Sequence, residues 1–157
     1  LGGVEIPHDR GLDGHSDADV VAHAVMDALL GAAALGDIGV YFPADDMRYK
    51  DICSMLLLTE VGKILADNRY AVCNIDVTII AQEPKLSRYI PNMRRTIADA
   101  LSIGDDCVGI KATTEEGMGF TGERIGIACH AVCLINIVKE NKVYAGDSVG
   151  IKSYQNL

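Results

Sequence analysis

The chain has 157 residues, 49% hydrophobic and 23% charged, which is the material of a single globular domain and not of a disordered segment. Its net charge of −8 and its lack of any basic cluster exclude the phosphate-backbone electrostatics on which non-specific nucleic-acid binding rests. No apolar run approaches the roughly 18 residues that span a bilayer and no signal peptide is visible, so a soluble chain with no membrane partner is expected. Five cysteines without a CxxC pair suggest neither a disulfide framework nor a zinc ribbon. Reduced thiols fit a cytoplasmic or organelle-stroma compartment. With six Tyr, two Phe and no Trp, close packing of small side chains carries much of the core.

In chain order, Leu1 to Pro7 is strand-like, and the absence of an initiating Met raises the expectation of an upstream piece. After a Gly-rich turn, Ser16 reads as an N-cap with Asp19 at N3, opening a helix from Asp17 to Leu35. Val20, Val21, Ala24, Val25, Ala28 and Leu29 form its apolar stripe, while Asp19, His23 and Asp27 recur one turn apart on another face. Gly36-Asp37-Ile38-Gly39 ends that helix, and Phe42 to Asp46 reads as a loop. A second helix is expected over Tyr49 to Asp67 and a strand over Val72 to Ala81. A third helix runs from Ser87 to Leu101 with Gly104 as its stop. Strands over Val108 to Thr114 and Ile127 to Val138 flank the Gly-rich segment Glu115 to Gly126. Residues 139–157 read as a C-terminal extension, a short hairpin or a loose tail. The alternation predicts an α/β sandwich with helices on one sheet face, leaving the other face to a partner.

Among groups that can do chemistry, His23 stands one turn from both Asp19 and Asp27, an arrangement that can orient a metal-ligating imidazole through a second carboxylate. The bland alternative is a satisfied surface or core histidine. No HExxH is present, so other ligands would come from elsewhere. From the residues alone Thr113-Thr114 reads as β-propensity at a strand end, and Lys85 as a solvated surface cation. Cys129 and Cys133 share a strand face and read as small core residues without chemistry.

Several blocks resemble the 2-C-methyl-D-erythritol 2,4-cyclodiphosphate synthase family in order and spacing. They are Leu1 to Pro7, Gly14 to Val20, Asp27 to Gly39, Phe42-Pro43, Asp76 to Lys85 and Lys111 to Gly122, and the likeness covers about residues 1–138. The resemblance implies a mixed sheet with helices on one face and a homotrimer whose sheets surround the threefold axis. It also implies conversion of 4-diphosphocytidyl-2-C-methyl-D-erythritol 2-phosphate to the 2,4-cyclodiphosphate and CMP, within non-mevalonate isoprenoid synthesis and its pathway enzymes. The attacking group is then the substrate's own phosphate, so alignment and charge neutralisation replace a protein nucleophile.

By the same resemblance His23 matches a ligand of Zn²⁺ or another transition metal, and Glu116 a carboxylate for Mg²⁺ or Mn²⁺. His15 and Ser16 match a phosphate-contacting pair, with His15 and Thr114 acting on the transition state. Asp37, Ile38, Gly39, Phe42, Pro43, Ala44, Asp45 and Asp46 match segments holding the methylerythritol. Ala81, Gln82, Glu83, Pro84, Lys85, Leu86 and Ser87 match the cytidine pocket. Thr113, Thr114, Glu115 and Glu116 match the diphosphate loop, with Phe120 further along the same block.

Two departures limit the match. The family's other zinc ligands lie in an Asp-x-His segment upstream of Leu1, so an incomplete metal site is expected. Glu123, Ile125 and His130 also stand where the family commonly has Arg, Glu and an acidic residue, which weakens any isoprenoid diphosphate role for a trimer-axis cavity. The competing class is a catalytically incomplete trimeric module that binds nucleotide or assembles with a partner without turnover.

Overall fold

The computed structural model describes residues 1–138, and the expected C-terminal hairpin or tail lies outside them. The elements are α1 (Val20–Ala32), α2 (Ile38–Tyr41), α3 (Ser54–Asp67), β1 (Tyr70–Ile80), α4 (Ile90–Leu101), β2 (Val108–Thr113), α5 (Gly119–Gly122) and β3 (Ala128–Ile137). The sheet order is β2-β1-β3, with β1 parallel to β2 and antiparallel to β3. This is the mixed α/β arrangement expected from the alternation of elements.

Period-two patterning divides the sheet. Ile75, Val77 and Ile79 of β1 are fully buried with Val21, Val25, Leu29, Leu58 and Ile97 of α1, α3 and α4. The alternate residues Asp76, Val132 and Leu134 face away, and Val132 and Leu134 remain 66% and 62% exposed. Among the described residues, the sheet face opposite the helices therefore presents an apolar strip.

Several boundaries differ from the sequence expectation for local reasons. The first helix begins at Val20 and not Asp17, because Asp19 is the cap: its carboxylate accepts the Val21 and Ala22 N–H at 3.1 Å each. Ala18 at φ +54° keeps Ser16 and Asp17 outside the helix, so Ser16 is not the N-cap. The helix stops at Ala32 because Ala34 takes φ +56°, with Leu35 N–H bonding Leu30 C=O and Ala34 N–H bonding Gly31 C=O in a Schellman closure. Asp37 then caps the short α2 where only a helix end was expected.

The second helix starts at Ser54 instead of Tyr49. Asp51 N–H bonds His15 C=O at 3.0 Å and Asp17 N–H bonds Ile52 C=O at 3.3 Å, which ties the 51–53 segment, with Asp51 at φ +57°, to the 15–17 loop and keeps it out of the helix. The third helix begins at Ile90, with Pro91 in its first turn, where a missing N–H costs nothing. It ends on Ser102 in the left-handed region; Gly104, at φ −69°, is not its stop.

Asp19 is 5% exposed and accepts two further N–H groups, from Gly2 at 2.8 Å and Gly3 at 2.7 Å. Replacing a capping carboxylate costs about 1 kcal/mol, and orphaning buried donors adds about 1–3 kcal/mol. Asp19→Ala should therefore lower stability by at least about 2 kcal/mol in urea unfolding, with little change in m-value.

Candidate active site

The His15–Asp17 loop, the first turn of α1, α2 and the start of α3 enclose a cleft of about 200 Å³. His15, Ser16, His23, Ile38, Gly39, Phe42 and Ala44 line it, seven of the residues singled out in the sequence. Tyr49 and Leu57 line it as well. Neither stood out beforehand; Tyr49 packs edge-on against Phe42 with ring centroids 5.4 Å apart, a contact no sequence spacing announces.

The carboxylates on α1 serve the backbone, not the imidazole. Asp19 is committed to its cap, and Asp27 accepts the Ile38 N–H at 2.9 Å, which fixes the entry to α2. The expectation that Asp19 and Asp27 flank His23 as orienting carboxylates is thereby corrected. His23 Nε2 instead meets Ser54 Oγ at 3.1 Å and Ser16 Oγ at 3.2 Å.

Ser54, fully buried at the start of α3, also donates its hydroxyl to Asp17 Oδ1 at 2.5 Å and its N–H to Asp17 Oδ2 at 2.8 Å. Burial pushes the Asp17 carboxyl up, but the Ser54 hydroxyl and amide, the Asp19 amide and nearby His23 outweigh it and leave it below the usual carboxylate range. Sequence reading missed Ser54, because a serine 31 residues from the histidine it meets shares no periodicity with it.

A second group of expected residues gathers at the ends of β1 and β2. Ala81 N–H bonds Thr113 C=O at 3.0 Å, and Gly117 N–H reaches Gln82 Oε1 at 3.3 Å. In the loop beyond β2, Thr114 Oγ1 donates to Glu116 Oε1 at 3.0 Å, and Thr121 Oγ1 donates to Glu115 at 2.5 Å. Glu83 pairs with Arg124 at 3.2 Å, whereas Leu86 and Ala81 are buried in the core. Pro84 is half-buried; Lys85, Ser87 and Phe120 are exposed. None of these residues lines the His15 cleft.

Other expected positions are already engaged. Asp37 caps α2, and Asp46 pairs with Arg48 at 2.6 Å, the Arg48 guanidinium holding its carboxyl below the usual range. Pro43 is half-buried and Asp45 exposed. Among the described residues no group of three or more His, Cys, Asp or Glu could hold a metal ion. His23 and Glu116 each fit one position of a cation's shell by donor type, and neither completes a centre.

Among the described residues the chain is an α/β domain with a mixed sheet and helices packed on one face, and its candidate polar residues fall into two groups. The chain belongs to the YgbB family, whose profile matches residues 1–136. It is 63% identical over 136 residues to the 2-C-methyl-D-erythritol 2,4-cyclodiphosphate synthase of Clostridium novyi (strain NT), covering 87% of each chain. The bifunctional IspDF from Campylobacter jejuni superposes with a TM-score of 0.83 at 39% identity, over 87% of this chain and 37% of that one. IspF of Plasmodium falciparum in complex with CDP gives a TM-score of 0.71 at 31% identity, over 80% of this chain and 76% of that one.

The cysteines stay outside this chemistry. Burial, with the Asp19 charge adding to it, pushes Cys129 up to about 12 from the ordinary 9.0, and burial raises Cys133 as well. Because the unfolded thiol ionises first, stability linked to this group is constant below pH 9.0 and falls as pH rises from there through about 12. At pH 8, peptide mapping after alkylation should find exposed Cys53 modified at least ~10-fold faster than Cys129.

Proposed function

We propose that the chain catalyses the cyclisation implied by its family: the 2-phosphate of 4-diphosphocytidyl-2-C-methyl-D-erythritol 2-phosphate attacks the β-phosphorus of the diphosphate. A new P–O bond closes the ring, the bond to the α-phosphate breaks, and CMP leaves with the bridging oxygen. The activity named for its relatives supports this reading. The observation that carries the arrangement is the division of the candidate residues into two halves. His15, Ser16 and His23 lie at one cleft, while Thr114 and Glu116 lie beyond β2.

The reading joins these halves across neighbouring copies in a homotrimer packed through the exposed Val132–Leu134 face. His15 and Ser16 then contact phosphate, and residues Asp37 to Gly39 and Phe42 to Asp46 hold the methylerythritol. The segment 81–87 receives cytidine, and Thr113 to Glu116 receive the diphosphate. Thr114 aligns the reacting phosphate, its hydroxyl fixed in place by Glu116 at 3.0 Å. Zn²⁺ at His23 and Mg²⁺ or Mn²⁺ at Glu116 belong to the proposal as neutralisers of phosphate charge, each needing ligands beyond the described residues.

His15→Ala and Thr114→Ala should each reduce CMP release from the authentic substrate by about 100-fold while leaving the fold intact by circular dichroism. Cytidine nucleotide binding without release by the unmodified protein would instead favour the non-catalytic module. Light scattering at micromolar concentration should give three times the chain mass, and a stable monomer would break the shared-site reading. Calorimetry should show CMP bound in preference to AMP, since a close-fitting pocket discriminates by size and hydrogen-bond pattern.

A further inference from the structure

We infer that the Asp17–Ser54 pair determines which nitrogen of His23 carries the proton, making Ser54 a positioning residue that leaves the imidazole lone pair on Nδ1. The argument is a count of protons. An ionised carboxylate can only accept hydrogen bonds, so the 2.5 Å contact between Ser54 Oγ and Asp17 Oδ1 places the Ser54 hydroxyl proton toward Asp17. A serine hydroxyl has one proton to give, so toward His23, at 3.1 Å, its oxygen can only accept. Nε2 is therefore the protonated nitrogen, shared between Ser54 Oγ and Ser16 Oγ at 3.1 and 3.2 Å. In a neutral imidazole the lone pair then falls on Nδ1.

The surroundings keep this arrangement rigid. Ser54 has no solvent exposure, and its own N–H bonds the second Asp17 oxygen at 2.8 Å, so the hydroxyl has one available orientation. The pairing of Asp17 N–H with Ile52 C=O fixes the loop to the strand-like lead into α3. An imidazole held in one tautomer presents one nitrogen to a cation or an electrophile without first exchanging its proton. This inference rests on the reading of His23 as part of the reaction site.

The test is nitrogen NMR of the full chain labelled with ¹⁵N-histidine at pH 8, the His23 signals being assigned by their loss in His23→Gln. The wild type should show a protonated Nε2 and an unprotonated Nδ1. Ser54→Ala should give a mixture of tautomers. Asp17→Asn should reverse the preference, because the Asn amide would donate to Ser54 Oγ and turn the serine proton toward Nε2. If Ser54→Ala does not fold, the Asp17→Asn spectrum still decides the matter. CMP release should fall about 10–100-fold in both variants.

A wild-type His23 protonated on Nδ1 would overturn the relay, and so would variants that keep the wild-type tautomer, whatever their activity. Shifted tautomers with unchanged CMP release would uphold the relay and remove His23 from the reaction site.

Discussion

The carboxylate of Asp19 is the tie on which the rest of the architecture depends. It gathers the N–H groups of Gly2 and Gly3 from the N-terminal turn and of Val21 and Ala22 from α1. Buried amides need partners, and one carboxylate here supplies four acceptor positions at once. The two glycines adopt φ +59° and +72°, and a Cβ on Gly3 would come within 2.5 Å of Thr96 and 2.7 Å of Met55. The N-terminal turn can therefore approach α3 and α4 only without side chains at these positions. Fixing the helix start at Val20 leaves His15 to Asp17 free to pair with 51–52, and sets His23 one turn into the helix beside Ser16.

The second constraint is the unequal covering of the sheet. Three helices bury one face, whereas Val132 and Leu134 on the other stay largely exposed beside the Asp76–Lys111 ion pair at 2.6 Å. Apolar strips of this kind are energetically satisfied by another surface. The candidate residues follow the same division, with one group near the α1–α3 side and another at the strand ends.

The elements most legible in the sequence were those whose pattern repeats. The β-branched, partly alternating run over 72–81 placed β1 to within two residues, and the apolar stripe placed the body of α1, although only Val21, Val25 and Leu29 of that stripe are buried and Ala22, Met26 and Leu30 complete the buried face. What escaped were long-range backbone contacts that override local preference. The bonds from residues 51 and 17 to residues 15 and 52 shortened α3, and the positive φ of Ala18 and Ala34 shortened α1 at both ends. The site shows the same limit. His15, Ser16 and His23 were visible because they cluster in one motif, whereas Ser54 and Tyr49 enter only when α3 folds back onto that motif.

Electrostatics explains why such neutral groups matter. An anionic diphosphate substrate must be received by a chain of net charge −8, and many of its described cations are already occupied. Arg48 pairs with Asp46, Lys63 with Glu60, Lys111 with Asp76 and Arg124 with Glu83, while Arg94 donates to the Val108 and Asp105 carbonyls. The phosphate contacts proposed above therefore draw on hydroxyls and backbone N–H groups beside the remaining cations, with divalent ions as the proposed supplement. A hydroxyl or an imidazole is useful in that setting only if its proton is aimed correctly, because it cannot compensate with net charge. The buried chain from Asp17 through Ser54 to His23 meets that need, turning a carboxylate that never touches the cleft into a control on the direction of its hydrogen bonds.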